Sequence, residues 1–225
     1  AIHQSFLLED AFGLSSQFVW FRNYTDTIGD AAWLQAAWFT IIFSMLVTFL
    51  SLGIALLLAV KANEVIKGAS AYKTTLMWAY AIAPPVAGLM GNLMFHPLIG
   101  DLYKFFNAIG WDFDHKLDSF DAGFVVVLIA VWKQVSVNFI FFLSGLQGIS
   151  KAVNEAAMMD CKSPTRRFWT ITFPLLAPTT FFLMVINITY AFFETFGIID
   201  TTTGGSPGGA TNTLVYKVFQ DGFRG

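Results

Sequence analysis

The chain has 225 residues, of which 56% are hydrophobic and 12% charged, with a formal net charge of -2. An ordinary soluble domain is about one quarter charged, so this composition excludes a water-soluble enzyme or binding module and describes an integral membrane protein. No Arg/Lys cluster argues for nucleic acid as a partner, and a single cysteine excludes an internal disulfide.

Residues 1–32 set Glu9, Asp10, Asp26 and Asp30 against Arg22 alone, among scattered aromatics, and read as an acidic segment outside the membrane. No charge occurs from Ala32 to Val60. About twenty residues at 1.5 Å rise already cross a hydrocarbon core of roughly 30 Å, so a first span is expected over 33–60. Lys61, Lys67 and Lys73 then bracket Glu64 in a loop that the positive-inside tendency makes cytoplasmic. A second span, 74–95, is interrupted by Pro84-Pro85. Two missing backbone donors break a helix, a defect tolerated in a membrane only where it is buried in protein or lines a watery cavity. A translocation path and a packed structural kink both meet that condition.

From His96 to Asp121 five aspartates face Lys104 and Lys116, again outside; His96 and His115 fit no metal-ligand spacing and read as exposed. A third span over 122–147 runs inward and a fourth over 173–196 runs outward. Asp200 to Gly225 then reads as an external loop, its TTTGGSPGGATNT core being turn chemistry rather than a nucleotide cradle. The two inside loops hold seven bases and three acids, the outside segments five bases and eleven acids. Both observed ends of the chain are therefore expected outside. No internal repeat is evident.

The loop 148–172 is the most ordered polar stretch. Ser150 is placed to cap a short helix beginning at Lys151, which Cys161 to Pro164 stops. Arg166, Arg167, Phe168 and Trp169 form a basic, aromatic flange of cytoplasmic character, and Pro174 and Pro178 open or kink the span that follows.

Glu155-Ala156-Ala157, Asp160 five residues after the acid, and the run Ile171 to Pro178 resemble the EAA motif of ATP-binding-cassette importer permeases. Two positions depart from it: Cys161 stands where the family usually has Gly, and Ile149-Ser150 where Ile-Pro is common. Val131 to Gln134, Tyr190 to Thr195, Ile199-Asp200 and Thr213 to Lys217 carry a closer likeness to the carbohydrate-uptake (MalF/MalG-like) branch, and within it to glycerol-3-phosphate importer permeases. The likeness runs from about Asp10 to Gly225. It implies an all-α, polytopic transmembrane helical bundle of the type I importer kind, in a bacterial inner membrane. It also implies that Glu155, Ala156, Ala157, Asp160 and Cys161 couple to an ATPase dimer. That dimer would hold the ATP and Mg, with no cofactor in this chain. A second permease subunit and a periplasmic solute-binding protein are the other expected partners. Related permeases have a further helix at each end, so an incomplete permease core is expected.

Polar groups at bilayer depth are costly and face a bundle interior or a cavity. Lys133, Gln134 and Asn138 lie in the third span, the last two a helical turn apart; Asn187, Tyr190, Ala191 and Glu194 form a stripe in the fourth. These are the candidate solute groups. Lys133 suits a phosphate, and Asn138, Asn187 and Tyr190 suit hydroxyls. The competing role for Lys133 is an ion pair with Glu194, or snorkelling to the interface. No G-x-x-x-x-G-K-[ST] loop occurs, so energy must come from a partner. The rival readings are a sugar or oligosaccharide importer of the same branch, a membrane enzyme, for which Lys133 and Glu194 alone make a thin active site, and a structural or signalling subunit, which has no use for the ordered loop.

Overall fold

The computed structural model describes residues 2–9, 15–64, 69–161 and 163–224. Among them a short hairpin of β1 (Leu7–Glu9) and β2 (Ser16–Phe18), with Leu8 opposite Gln17, precedes an all-α chain. Asn23 Nδ2 donates to the Ser5 and Leu7 carbonyls at 2.9 and 3.0 Å, fastening the hairpin to α1 (Arg22–Gly29). The Asp30 carboxylate accepts the Ala32 N–H at 2.9 Å and starts α2 (Ala31–Glu64), which runs 34 residues without a proline.

The prolines at 84 and 85 do break the next helix. They separate α3 (Ala69–Ala81) from α4 (Pro84–Met94), each too short to cross a bilayer alone. α5 (Asp101–Ala108) follows, and Asp118 then caps α6 (Ser119–Gly148), accepting the Phe120 and Asp121 N–H groups at 2.7 and 3.0 Å. The polar loop contains α7 (Lys151–Asp160) and α8 (Pro164–Arg167). A π-helical turn, Phe168–Thr172, leads into α9 (Phe173–Leu175), and after a 69° bend at Leu176 comes α10 (Ala177–Phe193). Among the described residues two helices, α2 and α6, are long and apolar enough to cross a membrane, and the bent pair ending in α10 adds a third.

The segment 200–225, expected as a loop, is a correction. It completes α11 (Phe196–Thr202) and then, after a run of turns, forms α12 (Leu214–Phe223). Tyr216 is the reason: its ring is fully buried against Phe196 and its hydroxyl donates to Asp200 at 3.1 Å. Thr40 on α2 accepts the Leu214 N–H at 2.9 Å, satisfying one of the orphan donors at the start of α12.

The core is built on α6, buried on nearly every side, with α2 as its main partner and α10 closing the third side. One face of α2 carries a series of small buried residues that includes Ala36, Thr40, Ser44, Thr48, Ser51 and Ala55. Small side chains let helix backbones come close where lipid supplies no hydrophobic push. The opposite face of α2 leaves Trp38, Phe49 and Leu57 at least 65% exposed, as a lipid-facing surface requires.

Candidate coupling and solute sites

α7 follows α6 and precedes the bent helix. The Ser150 side chain accepts the Val153 N–H at 3.3 Å, so the expected cap is formed. Of the five coupling positions, Glu155 and Ala156 are exposed, Ala157 is buried, and Cys161 is half-buried. The Asp160 side chain and Lys162 lie outside the described residues, as do Lys67 and the side chains of Glu64 and Lys73 from the preceding inside loop. Cys161 takes an extended backbone, φ -126°, rather than a left-handed one, so the helix ends without the conformation that would demand glycine. Val153, Met158 and Met159 are also exposed, the last at 87%. Among its described side chains this ten-residue helix buries Ala157 alone and leaves the Glu155 carboxylate exposed among apolar groups.

The intramembrane groups divide into three arrangements. Asn138 and Asn187 are fully buried and bonded to each other, Asn187 Nδ2 to Asn138 Oδ1 at 2.8 Å and Asn138 Nδ2 to Asn187 Oδ1 at 3.1 Å. Ser51 completes the cluster, donating to Asn187 Oδ1 at 2.9 Å and accepting from Asn138 at 3.0 Å. Three helices, α2, α6 and α10, are thus tied by a closed polar knot. The sequence reading missed Ser51. Its signal was the polar series Thr40, Ser44, Thr48, Ser51 at helical spacing along an otherwise apolar span.

Lys133 is buried, and its ammonium donates to the Ile82 carbonyl at the break between α3 and α4. Among the described residues that is its sole acceptor. Glu194 is exposed at the end of α10, so the Lys133–Glu194 ion pair is not formed and Glu194 leaves the buried stripe. Thr201 on α11 donates to the Pro85 carbonyl at 2.9 Å and Thr202 to the Gly88 carbonyl at 3.2 Å, so the broken helix is held by side chains of α6 and α11. Gln134 is buried beside Lys133 on α6. Tyr190 is buried with a hydroxyl that has no partner, an unmet donor beside the knot's helix.

Between α5 and α6, His115 corrects the reading of an exposed histidine. It is 2% exposed, its ring set against Phe113 and Phe95, and neither ring nitrogen has a partner. Burial, with Lys116 nearby, holds its pKa below the ordinary 6.5 and keeps it neutral. Among the described residues no three His, Cys, Asp or Glu side chains come together as metal ligands.

The family model for binding-protein-dependent transport system inner membrane components matches residues 38–219, which include both α7 and the polar knot. The chain belongs to this family. Among the relatives of this transport component is the sn-glycerol-3-phosphate transport system permease protein UgpA of Brucella suis biovar 1 (strain 1330), 51% identical over 223 residues. That match covers 99% of this chain and 76% of that protein. The protein of the same name from Yersinia enterocolitica (serotype O:8 / biotype 1B) is 42% identical over 225 residues, 100% of this chain and 76% of its own. These relatives are permeases, and the chain is a transport component rather than an enzyme. In the solved structures, a bacterial alginate ABC transporter in complex with an alginate pentasaccharide-bound periplasmic protein superposes with a TM-score of 0.77 at 21% identity. The superposition covers 92% of this chain and 73% of that one. At that identity the likeness speaks for the fold, the all-α permease bundle implied by the motif.

Proposed function

We propose that the chain is the translocating subunit of an ATP-driven importer of sn-glycerol-3-phosphate or its phosphodiesters in a bacterial inner membrane. It would cross the membrane over about 33–60, 74–95, 122–147 and 173–196. The observation that carries this reading is α7, a capped helix between two apolar helices with its acid and its apolar side chains facing outward. In the cytoplasm an ATPase dimer seats on that face, and its closure on Mg-ATP swings the bundle between inward-open and outward-open states, the rigid-body switching typical of such transporters. A second permease supplies the other half of the passage, and a periplasmic binding protein delivers solute to the outer loops. The substrate class rests on the relatives' names and on Lys133: a buried ammonium with three donors and one carbonyl acceptor retains attraction for an anion. In the reconstituted transporter Glu155→Lys lowers uptake about tenfold or more, the factor for about 1.4 kcal/mol of lost docking energy, while ATP hydrolysis continues. Wild-type uptake by that variant would refute the docking role. Uptake of an oligosaccharide in place of glycerol-3-phosphate would give the sugar-importer reading instead.

A further inference from the structure

A second feature lies under the coupling helix. A cavity of about 650 Å³ opens where the inner halves of α2 and α6 meet α7, α8 and the π-helical turn. That volume falls within the roughly 300–1,000 Å³ of small-molecule sites. Its upper wall is apolar, from Gly53, Leu56, Leu57 and Val60 on α2 with Leu146 and Ile149 at the end of α6. Its lower rim carries Lys61 and Arg167 with the amides of Asn63 and Asn154, and the rings of Phe168 and Trp169 stand beside it. Arg167 is half-buried and has no carboxylate within ion-pair reach among the described residues. Leu57 is 70% and Trp169 58% exposed, so the cavity is open along a surface that is apolar above and aromatic at the boundary.

We infer that this cavity holds an anionic phospholipid of the inner leaflet, its acyl chain along α2 and its phosphate on Arg167. The chemistry divides along the axis of the cavity as it does along a lipid. Apolar side chains occupy the depth of hydrocarbon, indole and phenyl rings the depth of glycerol, and cations and amides the depth of the head group. Arginine presents paired N–H groups to phosphate oxygens, a geometry that choline lipids cannot hold with the same net attraction. Asn154 and Met158 of α7 line the same space, so the lipid braces the helix on which the ATPase seats. The placement in the inner leaflet rests on the proposed function; the occupancy is tested separately from it.

The assembled transporter is reconstituted in nanodiscs of phosphatidylcholine, or of an equal mixture with phosphatidylglycerol, then released and its retained lipid read by native mass spectrometry. Wild type retains phosphatidylglycerol selectively. Arg167→Gln lowers retention about fivefold, as expected for one cation at an anionic lipid. The neighbouring Arg166→Gln, the same change in charge outside the cavity lining, leaves it unchanged. Leu57→Trp, which fills the apolar wall without touching the charge, also lowers retention. Equal retention of phosphatidylcholine, equal loss in both arginine variants, or displacement of the signal by inorganic phosphate would overturn the inference. If lipid selectivity fails while ATP-driven uptake is intact, the proposed function stands and the lipid site does not. Modification of Cys161 from the outer face would instead overturn the orientation.

Discussion

Two helices of this bundle are interrupted by prolines, and they are repaired in opposite ways. At Pro84-Pro85 the repair comes from other helices: Lys133 reaches the Ile82 carbonyl, Thr201 the Pro85 carbonyl and Thr202 the Gly88 carbonyl. Around Leu176 the repair is local: its N–H is shared between the Thr172 and Phe173 carbonyls at 3.2 and 3.0 Å, and its carbonyl takes both the N–H and hydroxyl of Thr180, at 2.8 and 3.0 Å. The first break is thus held by hydrogen bonds from its neighbours, whereas the second satisfies its own backbone groups. The first lies against the polar interior of the bundle, and the second carries the π turn and 69° bend next to α7. Kinks with a π turn beside them are common where a helix has to work.

Glycine substitutions should break this contrast with the largest effect. A Cβ at Gly197 would stand 2.8 Å from Pro85 Cγ and 3.2 Å from Pro85 N, rigid ring and backbone, so Gly197→Ala lowers stability by about 1–3 kcal/mol. At Gly145 the near atom is the Leu176 Cδ2 methyl at 2.9 Å, the end of a flexible side chain, so Gly145→Ala costs less than half as much. Thermal unfolding of the purified complex measures both, and equal losses would mean that the two breaks are equally rigid. A smaller effect separates the threonines. Thr201→Val strips a donor from the Pro85 carbonyl and lowers stability by about 1 kcal/mol, while Thr180→Val leaves the Leu176 carbonyl its backbone donor and changes little.

The smallest expected effect is that of pH at the C-terminal end of α4. His115 packs on Phe95, which ends α4, and faces Lys116, Asp114, His96 and Asp121. Its folded pKa lies below 6.5, so the folded state binds fewer protons than the unfolded one between those two values. The stability it contributes is complete above about pH 6.5 and is lost as the pH falls from there toward the folded pKa. Melting curves between about pH 7 and about pH 5 should therefore show a decline that His115→Phe flattens. An unchanged slope in the variant would place the titration elsewhere.

Much of this was legible because it is local. Ser150, Pro164 and the tandem prolines mark helix ends by their own chemistry, and long apolar runs, charge-free from Ala32 to Val60 and interrupted by Lys133 alone from Ala122 to Gln147, mark α2 and α6. The helix α7 could be read for the same reason, since a cap and a stop fall within about a dozen residues. What could not be read depends on partners far along the chain. Lys133 invites a search for a carboxylate, but its acceptor is a backbone carbonyl 51 residues away, a group common to every residue and marked by none. His115 looked exposed because it sits among aspartates, while the rings set against it are those of Phe113, two residues before it, and of Phe95 at the end of α4. Ser51 was passed over because a lone hydroxyl in an apolar helix can satisfy itself on its own backbone. α12 was hidden by the glycine-rich run before it, although Tyr216 and Phe219 carry helical spacing.

One consequence follows from α2 being unbroken. Its 34 residues make a rod of about 50 Å, pinned toward its N-terminal end by the Thr40–Leu214 bond and reaching the cavity beside α7 at its other end. Such a rod neither compresses nor folds, so a tilt of about 5° about the Thr40 pin carries its far tip by about 3 Å. A load applied to α12 therefore acts on the short arm of a lever whose long arm ends beside α7.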